Sequence, residues 1–302
     1  MKLLSVGLTG TTDEIRARLQ KDCVTLSQEG FCVAIDEIYR GNYTFLGCNI
    51  IEGELSFRNY ERIKNLLKHY VAKILAEIIV SDEEKIIIGK IIERNYYYFN
   101  EEERSIVYNN TLKMLKDNNG LFPNFSLNER RNQILAKLLD YLDNHHELVV
   151  EGFINFRLKD YREQLIQVVD KAVDDFMMEL EYKEFIRVLR YFVEVQEPKV
   201  EEVHVVMSNN GNFKILDSFG KTINNQYLEN FATQGADEIN YEDLLITALI
   251  TIAPYNVMLH SANPPKLQDV METIKSIFDG RVVICPGCDI CNAEYLGGYL
   301  PK

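Results

Sequence analysis

Three of the chain's six cysteines stand together near its C-terminal end, Cys285, Cys288 and Cys291, in the run CPGCDIC. Thiolates spaced C-x2-C-x2-C can be turned by one tight loop toward a single metal ion or an iron–sulfur cluster. Three ligands do not complete either site. A ferredoxin-type pattern needs a further cysteine soon after Cys291, where Asn292, Ala293, Glu294 and Tyr295 stand instead, so a cluster is the weaker reading. For a Cys3His zinc site the candidate fourth donor is His260. Two alternatives stay open on the same residues: reducible thiols at the surface, or a C-terminal knuckle held by ordinary packing.

Other motifs break on inspection. His145, His146 and Glu147 begin like a zincin helix, but H-E-x-x-H needs histidine at position 150, and Val150 is there. A solvated helix end or a boundary loop is the expected home of both histidines. Gly220, Lys221 and Thr222 spell the end of a P-loop, yet Ile215 occupies the leading glycine position, so a turn is expected. No G-x-S-x-G elbow and no G-x-G-x-x-G fingerprint occurs. Arg157, Lys159, Arg162, Lys183, Arg187 and Arg190 are interleaved with acidic residues and read as a solvated helical face, with a docking surface for an acidic partner as the alternative. Tyr96, Tyr97, Tyr98 and Phe99 could stack on bases, but their acidic surroundings favour packing.

The elements that would position the cysteine run can be read from the pattern. Residues 257–259 form a short apolar strand, 264–280 a helix with Leu267, Val270, Met271, Ile274 and Ile277 on one face, and 281–285 a second strand. Strand, helix and strand in so short a span is a βαβ unit with parallel strands. His260 then ends one strand and Cys285 the other, at the same edge of the sheet. Upstream, residues 240–253 read as a helix stopped before Pro254, and residues 203–217 as a β-hairpin around an Asn-Gly turn. Residues 227–231 are ambiguous.

The opening is strand 3–9, helix 12–29, and strands 31–35 and 43–51. Helical spacing then runs from about residue 56 to 144. It includes separate helices near 83–98 and 101–115, a break at 118–123, and a capping box at Ser126 and Glu129. A stripe from Phe153 to Phe176 and a second segment from Tyr182 to Phe192 predict two further helices before Pro198.

A chain of 302 residues with 46 acidic and 33 basic side chains carries a net charge of −13. That balance repels phosphate backbones and anionic lipid, so nucleic acid is not an expected partner. The longest nearly continuous apolar run, residues 244–253, is too short to span a bilayer, and no signal-peptide core follows Lys2. Cys23, Cys32 and Cys48 are scattered and are expected to be buried thiols.

Residues 151–161 (EGFINFRLKDY), 182–197 (YKEFIRVLRYFVEVQE) and 238–254 (EINYEDLLITALITIAP) occur in the order in which the YtxC family of endospore-forming bacteria carries such blocks. The chain resembles that family over about residues 145–291. The resemblance implies an association with sporulation and a cytoplasmic location, and it carries no catalytic residue, substrate or cofactor onto these positions. The expected architecture is α+β: a small N-terminal α/β part, a helical middle, and C-terminal helices packed on a mixed sheet ending in the βαβ unit. Its expected regions are 1–144 and 145–302. The expected function is non-catalytic binding of a protein partner, with zinc held by Cys285, Cys288, Cys291 and His260. The competing class is a metal-dependent or redox enzyme built on the same cysteines.

Overall fold

A computed structural model describes residues 2–9, 13–28, 32–52, 57–117, 125–207, 213–223, 241–261 and 268–291. The fold is α+β, and its contacts divide it into two compact units, Met1–Met177 and Met178–Lys302. Among the described residues no helix is long and apolar enough to cross a membrane.

The first unit opens with β1 (Lys2–Leu8), α1 (Asp13–Gln28), β2 (Cys32–Arg40) and β3 (Tyr43–Glu52). Strands β2 and β3 form a hairpin closing at Arg40 opposite Tyr43. Gly41, at φ +61, supplies the left-handed first position of its two-residue turn. The sheet order is β2-β3-β1-β4, with β1 antiparallel to β3 and parallel to β4 (Glu147–Val149). That last strand was not read from the sequence, since three residues are too few to show alternation.

Helices follow: α2 (Phe57–Ile78), α3 (Glu84–Asn95), α4 (Glu101–Asp117), α5 (Leu127–Asn144), α6 (Val150–Arg157) and α7 (Lys159–Val195). Along α2, Ile63, Leu67, Val71, Ile74 and Ile78, which recur at helical spacing, are all buried. Between α2 and α3 the expected break is absent. A π-helical turn, Ile79–Glu83, carries the helix through, with Ser81 and Asp82 bonded to each other on its exposed side. At the start of α5 the capping box forms: the Glu129 amide donates to Ser126 Oγ and the Ser126 amide to Glu129 Oε2. Burial of Glu84, Arg130 and Tyr161 joins α3, α5 and α7 within the unit. Arg130 Nε lies 3.0 Å from Glu84 Oε2, the Tyr161 hydroxyl donates to the same carboxylate, and the guanidinium also donates to the Phe125 and Leu115 carbonyls. Tyr96 donates to Asp170 at 2.6 Å and Phe99 packs edge-on against Phe176. Those two aromatics are therefore packing groups.

The stripe expected as one helix from 153 to 176 is broken at Leu158, between α6 and α7, while its later part and the segment expected from 182 to 192 run on as one 37-residue helix, α7. No proline or glycine lies inside it, and ion pairs Lys171–Asp175, Lys183–Glu179 and Arg187–Glu184 bridge successive turns. The unit boundary falls within its sequence.

The second unit has β5 (Val200–Met207), β6 (Phe213–Asp217), α8 (Tyr241–Ile252), β7 (Pro254–Ser261), α9 (Gln268–Ile277) and β8 (Val282–Ile284). The sheet order is β6-β5-β7-β8. The hairpin β5–β6 is antiparallel, while β5–β7 and β7–β8 are parallel. The mixed sheet and terminal βαβ unit read from the sequence are therefore present. Val203, Val205, Val257 and Leu259 face a core with Leu245 and Leu249 of α8 and Ile274 and Phe278 at α9. Each such side chain stabilises by about 1.5–3 kcal/mol when fully buried. The Asn-Gly turn, the break at 118–123, Asn240, Pro264 and residues 227–231 lie outside the described residues.

Candidate metal centre

Alternation along β7 sets where His260 goes. Val257 and Leu259 enter the apolar core, so Met258 and His260 belong to the opposite face of the sheet. There His260 is 2% exposed. Strand β8 pairs with β7 through Leu259 opposite Ile284, and one more ladder bond follows, the Cys285 amide donating to the Leu259 carbonyl at 2.9 Å. That bond fixes Cys285 beside the end of β7.

The chain then doubles back. Gly287 sits at φ +124, a region closed to side-chain-bearing residues except under strain. A helical turn at 289–291 brings the last thiol round. His260 Nδ1 lies 3.4 Å from Cys288 Sγ and 3.5 Å from Cys291 Sγ, and the two sulfurs are 3.8 Å apart. With Cys285 Sγ included, all four donor atoms lie within 4.8 Å of one another. Around a tetrahedral zinc ion with bonds of about 2.3 Å to sulfur and 2.0 Å to nitrogen, neighbouring sulfurs are about 3.8 Å apart and sulfur and nitrogen about 3.5 Å. Three of the edges observed here have those lengths. The donor set fits a single ion.

The electrostatics suit ligation. Burial, reinforced by His204, holds the His260 imidazolium down, leaving the neutral ring that a metal needs. Burial works to raise the Cys288 thiol, but amide donors from Cys291 and Ile290, with the neighbouring thiols, outweigh it and leave Cys288 below the usual thiol value. Cys291, buried and beside Cys288, is pushed up to about 11. The two neighbouring thiols are thus shifted in opposite directions, Cys288 down and Cys291 up. A bound cation removes both protons.

Two residues on β5 complete the surroundings, and the sequence reading did not single them out. His260 Nε2 is 2.9 Å from His204 Nδ1, and His204 Nε2 is 3.2 Å from Glu202 Oε1. Their spacing of two along a strand was a usable signal, but the pairing of β5 with β7 was needed to aim it. Among the described residues, the other histidines and the Gly220–Thr222 segment do not join this group. His145 is an exposed helix end stacked on Tyr141 at 4.2 Å. Gly220 to Thr222 form a turn after β6, where Asp217 Oδ1 accepts the Phe219 and Lys221 amides. Cys48 is buried in the first sheet, while the side chains of Cys23 and Cys32 lie outside the described residues.

Comparison with known proteins gives a family. The model of the YtxC-like family matches residues 69–283. The chain is 30% identical over 168 residues to the uncharacterized protein YtxC of Bacillus subtilis (strain 168), covering 55% of this chain and 58% of that relative. The match thus spans less than two thirds of the relative's length. No solved structure matches the chain.

Proposed function

The chain belongs to the YtxC-like family, and we propose that it is a non-catalytic, cytoplasmic, sporulation-associated protein that binds a protein partner and carries one structural zinc ion on His260, Cys285, Cys288 and Cys291. The observation that carries the metal reading is the agreement of the sulfur–sulfur and sulfur–nitrogen separations with the edges of a zinc tetrahedron. Four protein donors close the coordination shell, and a closed shell leaves no position for substrate, which is the mark of a structural site. Donors this close to one another suit one ion better than a multi-iron cluster. The reducing cytoplasm would keep the thiols available. The sporulation association rests on the family resemblance.

A protein partner is favoured by the C-terminal half of α7. Ile186 and Val193 are buried in the second unit's core, while Tyr182, Phe185, Val188, Tyr191, Phe192 and Val195 are exposed. So many large apolar side chains on one helix suit contact with another protein's apolar surface. The net charge of −13 argues against nucleic acid.

The test is metal analysis of the full chain purified without oxygen, followed by chelation and by Cys288→Ser and Cys291→Ser. One zinc per chain is expected. A site filled at a thousand times its dissociation constant adds about 4 kcal/mol, so chelator should lower the melting of the second unit by at least about 10 °C. A metal-free chain with unchanged melting would remove the structural reading. Serine variants that fold normally but fail to support sporulation would favour the enzyme alternative.

A further inference from the structure

We propose that Glu202 and His204 are positioning residues that hold His260 in the tautomer protonated at Nε2, and so present its bare Nδ1 to the ion and set the affinity of the site. The inference rests on the metal reading above and goes beyond it by naming residues that touch no ion.

Glu202 Oε1 lies 3.2 Å from His204 Nε2, and because a carboxylate has only acceptor oxygens its charge favours the proton on that nitrogen. With a single proton on the ring and that proton on Nε2, His204 Nδ1 is an acceptor. Its partner at 2.9 Å, His260 Nε2, must then be the donor. His260 has in turn spent its one N–H on Nε2, and its Nδ1 is left with a lone pair directed at Cys288 and Cys291, 3.4 and 3.5 Å away. Reversing the bond between the two imidazoles would put the His260 hydrogen on Nδ1, where the ion has to bind.

The strands build this chain of contacts. Glu202 and His204 are two residues apart on β5 and share a face. In the parallel ladder His204 is opposite Met258 and Val206 opposite His260, so the two imidazoles are diagonal neighbours with centroids 5.2 Å apart. Exposure rises along the chain, from His260 at 2% to side-chain values of 16% for His204 and 34% for Glu202. A ring as buried as His260 must satisfy its second nitrogen from the protein, or bear the cost of an unmet donor. Metal-bound histidines are commonly held this way, and loss of the holding partner typically costs 10–100-fold in metal affinity.

The experiment compares the full-length chain with His204→Leu, His204→Gln and Glu202→Gln. Zinc affinity is read by competition with a chromophoric chelator, coordination by the visible spectrum of the cobalt(II) form, and the His260 tautomer by long-range nitrogen–proton NMR. Leucine has no acceptor, so His204→Leu should weaken zinc about 10–100-fold and mix the His260 tautomers in the metal-free chain. His204→Gln can accept from His260 through its carbonyl and donate to Glu202 through its amide, and it should restore most of the affinity. Glu202→Gln should fall between the two. If His204→Leu binds zinc as tightly as the unaltered chain with the same His260 tautomer, the relay is overturned while the metal site stands. If the unaltered chain binds neither zinc nor cobalt, the metal reading itself fails. If His204→Leu does not fold, the unaltered chain still decides: a His260 ring protonated at Nδ1 in the metal-free protein would overturn the relay.

Discussion

At the scale of single residues, the loop that turns the thiols back depends on one glycine. Gly287 sits at φ +124 with no atom within 4 Å of where a Cβ would stand, so a methyl group there strains the backbone without touching a neighbour. Such strain costs about 1–3 kcal/mol. Strain carried by the ion-bound loop and released in the free chain would weaken binding, so Gly287→Ala should lower zinc affinity about tenfold with the ligands intact. A chelator competition assay checks this, and an affinity equal to that of the unaltered chain would contradict it. The convergence of His260 with the three cysteines was legible in the sequence, because parallel strands with short apolar cores put their C-terminal ends on one edge. Glu202 and His204 were not. Their role depends on which strand neighbours β5, and nothing local to residues 200–207 states that β7 is the neighbour.

At the scale of elements, the buried Glu84–Arg130 pair holds three helices of the first unit. Burial pushes the Glu84 carboxyl up, while Arg130 and the Tyr161 hydroxyl oppose the shift. Arg130→Met would leave that carboxylate without its counter-charge and should cost about 3–5 kcal/mol in urea unfolding. Adding Glu84→Leu should recover much of that loss, since an apolar pair has no charge to desolvate. The cap of α5 gives a pH dependence. Bonds from Ser126 hold the Glu129 carboxyl below its ordinary range. A depressed folded value stabilises above the unfolded value, and that contribution is lost as pH falls through the folded one. Amide-exchange protection in the first turn of α5 should therefore fall in acid. In Glu129→Gln, which can still accept the Ser126 amide but does not titrate, this loss should vanish. The cap could be read directly because its signal spans four residues, Ser126 to Glu129. The π-turn could not, because Ser81 and Asp82 look like a helix end in any local window, whereas the burial of Ile79 and Val80 beside them is set by the rest of the fold.

At the scale of the whole molecule, the two compact units should answer differently to loss of the ion. Hydrogen exchange with and without chelator should show protection falling across β5, β7 and β8 while β1 to β3 keep theirs. An equal fall in both units would contradict a centre local to the second. The ligand spacing has a further consequence. His260 and Cys288 are 28 residues apart in sequence, and the span between them contains α9 and β8. An ion joining them is a removable cross-link that ties off a ring of chain, much as a disulfide does, and a ring of that size takes about 3–4 kcal/mol of freedom from an unfolded chain that keeps its ion. Unlike a sulfur–sulfur bond, this tie opens and closes with the supply of metal and needs no oxidant.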